Sequence, residues 1–273
     1  SEWKIFNTSY AMYLAVLGSM IHGLTVPGSI EAAQRKKGFN KGLFEWLRRA
    51  PWGNPVFSGM FMSLVMFGFL GGITGVIMGT EQINIIMHNT LYVPGHFHAT
   101  VVAGTTLTFM AISYFLVPVL FRRELWLPGL AKWQPYIYGL GVAGISVFMM
   151  AAGTLGVSRR HWDNNFADAT LGFDYPAAAH MFLALNGLSG LLAGLGGASF
   201  CIIMVGTILW GKKKGDVAAT EPAPAPEPAV HQAGSAGSIA VPGTFVLALI
   251  FLGSFILYYY VNWKYLSEVW LLS

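Results

Sequence analysis

With 273 residues, 55% of them hydrophobic and 10% charged, the chain falls outside the ordinary soluble domains, in which about a quarter of residues carry charge. Its net charge of +4 needs no nucleic-acid partner, because the basic residues collect in short loops between apolar runs, where they report topology and contact with anionic lipid. The single cysteine, Cys201, excludes an internal disulfide and is expected to serve packing in an apolar helix.

A hydrocarbon layer of about 30 Å takes about 20 helical residues to cross. Six runs satisfy this, roughly 8–33, 56–79, 93–121, 134–157, 179–210 and 240–262. Long alternating strands are absent, so an all-α polytopic transmembrane bundle is expected and a β-barrel is not. The first run begins almost at Ser1, without a basic n-region or small-residue cleavage site, and no signal peptide is expected. Lys and Arg favour the cytoplasmic side of short loops. With the N-terminus outside, the inner loops hold Arg35, Lys36, Lys37, Lys41, Arg48, Arg49, Arg122, Arg123, Lys132, Lys212, Lys213 and Lys214, which is 12 of the 16 basic residues. Lys4, Arg159, Arg160 and Lys264 remain outside.

The first run carries Ser19, His22 and Thr25, spaced by three and so expected on one helix face. Hydroxyls inside hydrocarbon can bond their own backbone carbonyls. That explanation does not cover His22, and a polar pathway stands beside it as a reading. The inner loop from Gln34 to Trp52 holds Phe44, Trp46 and Trp52, suited to the headgroup level. In the second run, Gly71, Gly72, Gly75 and Gly79 permit close helix packing and also leave room for a flat cofactor.

The third run opens on Val93-Pro94-Gly95-His96-Phe97-His98. Successive helical residues turn by about 100°, so His96 and His98 point to opposite sides of one helix and cannot share a metal. A zinc pair on a helix wants spacing of three or four. Two separate flat ligands fit better, and haem is the obvious candidate, since neutral imidazole is a common axial ligand to its iron. Proline is tolerated in a first helical turn, which places both histidines near the outer end. The outer loop after the fourth run begins Ser158-Arg159-Arg160-His161-Trp162. The two arginines break the charge rule, and a guanidinium fork suits haem propionates at that level. Asp163, Asp168 and Asp174 follow, with roles that stay open. In the fifth run His180 reads as an interfacial residue. Residues 217–238 turn to Ala, Pro, Glu and Gly, a disordered cytoplasmic connector that contains His231. The domain reading is therefore 1–216 for five spans with the ligand helix 93–121, 217–238 for the connector, and 239–273 for the last span and an outer tail.

The run His88-Asn89-Thr90-Leu91-Tyr92-Val93-Pro94-Gly95-His96-Phe97-His98 resembles the haem-binding helix of subunit I of the haem-copper oxidases, closest to the b-type (ba-type) branch. The likeness extends through Gly42-Leu43-Phe44-Glu45-Trp46 and Ala50-Pro51-Trp52-Gly53-Asn54-Pro55 to Arg159-Arg160 and Asp174-Tyr175-Pro176. It implies that His96 is the proximal ligand of a high-spin haem and His98 one of two ligands of a low-spin haem, with Phe97 between them. His88 and Asn89 resemble the outer pair near the propionates, and Arg159 and Arg160 the propionate arginines. Ser19, His22 and Thr25 fall where the b-type enzymes carry proton-uptake hydroxyls, with His in the middle position as a departure. Asn84 stands where an acidic residue is expected.

The family's three copper ligands and the second low-spin histidine are not in this sequence. His22 starts from the opposite side, His88 and His161 lie in outer loops and His231 in the connector, while His180, the only outer-side span candidate, has no support from the resemblance. The resemblance thus covers only the second half of subunit I, as a natural split subunit or a fragment, inactive alone. It implies two haems, copper at a binuclear centre supplied by a polypeptide carrying the N-terminal half, a subunit II-like electron-entry subunit, cytochrome c or a similar donor, and a prokaryotic inner membrane. The activity implied is reduction of oxygen to water with proton translocation. The alternatives are half of a nitric oxide reductase of the same superfamily, or a non-haem transporter or assembly subunit.

Overall fold

The computed structural model describes residues 11–160, 175–214 and 240–269. The connector 217–238, His161, Asp163, Asp168, Asp174, His231 and the final tail lie outside the described residues. Eight helices are described: α1 (Ala11–Lys36), α2 (Glu45–Arg48), α3 (Pro55–Gly79), α4 (Glu81–Met87), α5 (Tyr92–Leu120), α6 (Pro128–Thr154), α7 (Ala177–Trp210) and α8 (Pro242–Val269). Among the described residues there is no strand, only the isolated bridges Thr90–Ser158 and Arg123–Lys213.

Five of these helices, α3, α5, α6, α7 and the Pro242–Val261 stretch of α8, are long and apolar enough to cross a membrane. The remaining expected span, over residues 8–33, is represented by α1, which runs for 26 residues from Ala11 among the described residues.

Two of the long helices are interrupted by π segments. In α3 the stretch Val65–Gly71 takes five-residue bonds, the Gly72 amide reaching the Phe67 carbonyl. In α5 the stretch His98–Thr105 does the same, the Thr106 amide reaching Val101. A π turn holds an extra residue, so side chains beyond it fall out of phase with the 3.6-residue period. The two interrupted stretches pack on one another: a methyl on Gly71 would strike the Thr100 side chain, and one on Gly104 would stand 2.7 Å from the Phe67 ring. Ser63 from α3 donates to the Gly104 carbonyl at 2.6 Å and meets the Thr108 hydroxyl.

The α6–α7 pair is regular and close. Gly141 and Gly196 bring backbone against backbone at Ala193 and Tyr138, and Gly144 gives room to the Ser189 side chain, the small-residue approach that stands in for the hydrophobic drive missing between helices in lipid. Gln134, fully buried, ties three spans together: it accepts from the Tyr114 hydroxyl at 3.0 Å and donates to the Gly196 carbonyl at 3.1 Å. Cys201 is exposed on α7 and takes no part in this packing.

The ends sort as the charge pattern requires. Arg123 bonds the Gly211 carbonyl, the Glu124 amide bonds Lys212, and Tyr136 bonds the Trp52 carbonyl, so the basic loops gather at one end. At that end Glu31, fully buried, accepts from the Gly243 and Thr244 amides and the Thr244 hydroxyl, and pairs with Arg35 at 2.8 Å. A carboxylate on the unsatisfied amides of a helix N-terminus docks α8 onto α1. At the opposite end the Leu91 amide bonds Val157 and the Arg159 amide bonds Asn89.

Candidate functional site

The site is built where α5 starts. Proline at position 94 sits in the first turn, where its missing amide costs nothing. Gly95 lets the turn press on α6, since a side chain there would stand 2.9 Å from the Met150 amide and the Ser146 carbonyl. Ser146 returns a hydrogen bond to the Gly95 carbonyl at 2.7 Å. With position 95 held against α6, position 96 turns to α3.

His96 lies against the glycine face of α3. A Cβ on Gly75 would stand 2.9 Å from its Cε1, and the Thr74 hydroxyl is 3.0 Å from its Nδ1. A cavity of about 200 Å³ opens beside the ring, lined by Gly68, Gly71, Gly72, Gly75 and Ser19 among others. Gly71 is used for packing on Thr100, and Gly75 gives room to the His96 ring. His98 bonds back to its own helix, Nδ1 to the Pro94 carbonyl at 2.7 Å. Phe97, between them, is half exposed, its ring centroid 5.6 Å from that of His96.

With Nδ1 of each ring engaged by an oxygen, Nε2 is the nitrogen that can take a metal, the arrangement usual for ligating histidines. The donor set therefore fits two flat metal cofactors with imidazole ligation, one on each side of α5. Among the described residues no group of three or more His, Cys, Asp or Glu stands together to hold a metal ion.

The predicted outer pair divides. Asn89 takes a left-handed backbone (φ 62°), and its Oδ1 accepts from Arg159 Nε at 3.2 Å and Nη2 at 2.8 Å. One edge of the guanidinium is thus anchored, leaving the Nη1–Nη2 edge for a second acceptor. Arg160, also at positive φ (68°), is exposed and does not share Asn89. His88 is exposed at the C-terminus of α4. Asn84 is spent on the Met78 carbonyl at 2.8 Å.

The predicted polar face of α1 divides too. Ser19 and His22 line one cavity of about 660 Å³ together with Ser63, Thr105 and Thr108, and Ser19 also borders the His96 cavity. Thr25, exposed, lies outside that cavity and bonds the Ile21 carbonyl at 2.8 Å. His22, exposed as well, bonds the Gly18 carbonyl through Nδ1 at 2.9 Å, so backbone bonding covers His22 too, contrary to expectation. A three-residue step turns a helix by only about 300°, so two such steps carry Thr25 about 120° away from Ser19. Thr74, Ser63 and Thr108 were not singled out by the sequence. Thr74 had a signal available, a hydroxyl inside the Gly71-Gly72-Ile73-Thr74-Gly75 stretch.

A bundle of apolar helices long enough to cross a membrane, one of them carrying two imidazoles near its start, defines a polytopic membrane protein. Residues 1–191 match the family described as "Cytochrome C and Quinol oxidase polypeptide I". The chain is 35% identical over 198 residues to a cytochrome c oxidase subunit 1 of Thermus thermophilus, covering 70% of this chain and 33% of that protein. It is 28% identical over 137 residues to a cytochrome bo(3) ubiquinol oxidase subunit 1 of Buchnera aphidicola, covering 49% of this chain and 18% of that protein. A solved heme-copper terminal oxidase dimer is similar at a TM-score of 0.68 and 31% identity, over 78% of this chain and 38% of that one. The chain belongs to the cytochrome c and quinol oxidase polypeptide I family. It spans about a third of the length of the Thermus relative.

Proposed function

We propose that this chain is the C-terminal half of subunit I of a terminal respiratory oxidase, closest to the ba-type branch, which reduces oxygen to water and translocates protons in a prokaryotic inner membrane. In this reading Nε2 of His96 holds a high-spin haem iron and Nε2 of His98 a low-spin one. The bound haems, with a copper ion on the partner half, supply the electron-transfer and oxygen-binding chemistry. The observation that carries the reading is the pair of imidazoles on opposite sides of α5, each with Nδ1 within hydrogen-bond distance of an oxygen.

This chain's own residues orient and insulate. Thr74 and Pro94 fix the two ring tautomers, and Gly75 leaves the space beside His96. Arg159, braced by Asn89, offers its free edge to a propionate at the outer end. Ser19 and His22 face the cavity that borders the His96 site and supply groups able to pass a proton toward it. The partner half brings the second low-spin histidine and the copper ligands. A subunit II-like protein and cytochrome c or a similar donor deliver electrons.

The test is substitution in the assembled complex. His98→Ala removes the low-spin bands of the reduced-minus-oxidised visible spectrum, and His96→Ala removes the carbon-monoxide-binding high-spin signal. Loss of the same signal in both variants, with the other intact, overturns the two-cofactor assignment.

A further inference from the structure

We infer that Thr74 is a positioning residue for His96, presenting an oxygen lone pair to Nδ1–H and so fixing and polarising the ring whose Nε2 faces the cofactor. The inference rests on the reading of His96 as a haem ligand and adds to it the group that tunes that ligand. Thr74 is 2% exposed, so no bulk water competes for its hydroxyl. Its oxygen lies 2.7 Å from the Leu70 carbonyl, 3.1 Å from the Gly71 carbonyl and 3.0 Å from His96 Nδ1.

A hydroxyl has one proton to give. Carbonyls can only accept, and the Leu70 carbonyl is the nearest of the three partners, so the proton lies on that side. The face turned to His96 is then a lone pair, and the proton between the two side chains belongs to Nδ1. That assignment leaves Nε2 unprotonated, the tautomer a metal requires. The reverse arrangement would put the proton on Nε2 and take the hydroxyl's donor away from the Leu70 carbonyl.

The chain of bonds from the Leu70 carbonyl through Thr74 to His96 polarises cooperatively and raises the ring's basicity as an oxygen partner does for ligating histidines. The backbone makes it possible. Leu70 and Gly71 close the π segment of α3, and Thr74 lies on the regular turn that follows. The Gly71 carbonyl is also within reach of the His96 ring, so removing Thr74 weakens the support and does not abolish it.

The experiment compares Thr74→Val, which keeps shape and loses the hydroxyl, with Thr74→Ser, which keeps it, in the assembled complex. The readouts are the iron–histidine stretching band of the reduced high-spin haem by resonance Raman and the rate of haem loss to an acceptor protein. Thr74→Val is expected to move the band to lower frequency and to speed haem loss by about tenfold, the low end for an outer-shell partner because Gly71 remains. Thr74→Ser should restore both. A band and a loss rate unchanged in Thr74→Val, while His96→Ala removes the band, overturn the role of Thr74 alone. A band that persists in His96→Ala overturns the ligand reading beneath it.

Discussion

Two helix pairs in this molecule are rich in glycine and use it differently. Between α6 and α7 both helices are regular, and Gly141 and Gly196 bring backbone onto backbone, with one fully buried glutamine between them. Between α3 and α5 both helices carry a π segment, glycines meet side chains, and cavities open at His96 and between Ser19, His22, Ser63 and Thr108. The regular pair converts small residues into contact area. In the interrupted pair the extra residue in each π turn throws the faces out of phase, so the same small residues leave space and turn polar groups toward it. Extra-residue turns gather at functional sites for this reason.

Substitutions should separate the two uses. Gly196→Val meets the Tyr138 backbone nitrogen at 2.6 Å, where neither helix can yield. The expected loss is about 3 kcal/mol or more, seen as little folded complex recovered in mild detergent. Gly75→Val instead meets the edge of the His96 ring. The bundle should still assemble with its low-spin spectrum intact, while the carbon-monoxide difference signal falls by tenfold or more. A variant at 75 that blocks assembly as Gly196→Val does would erase the distinction between the pairs.

The polar contacts sharpen it further. Gln134→Leu strands the buried Tyr114 hydroxyl and the Gly196 carbonyl, and should cost about 1–2 kcal/mol in the melting of the α6–α7 pair without moving any haem band. The smallest effect is expected at Ser63→Ala. Its hydroxyl shares the Gly104 carbonyl with Thr108, which keeps that acceptor satisfied at 3.0 Å. About 0.6 kcal/mol, typical of hydrogen bonds between membrane helices, is the expected loss in denaturant midpoint. A cost above that of Gln134→Leu would make the Ser63–Thr108 pair a main support of the α3–α5 contact.

The sequence by itself determined that the chain is a membrane helix bundle, because apolar runs of bilayer length admit no other way to satisfy backbone groups in hydrocarbon. It also determined that His96 and His98 face opposite ways, since two residues on a helix turn by about 200° wherever that helix packs. Only the tertiary structure decided what each ring meets. Thr74 precedes His96 by 22 positions and reaches it because Gly75 allows α3 that close. Spacing placed Ser19, His22 and Thr25 on one face, yet packing admits the first two to a shared cavity and leaves Thr25 outside it. Two adjacent arginines read alike in sequence, and a left-handed turn at Asn89 gives Arg159 a brace that Arg160 does not share. The π turns left no legible mark, since an extra residue in a turn is a compromise between two helices and is written in neither alone.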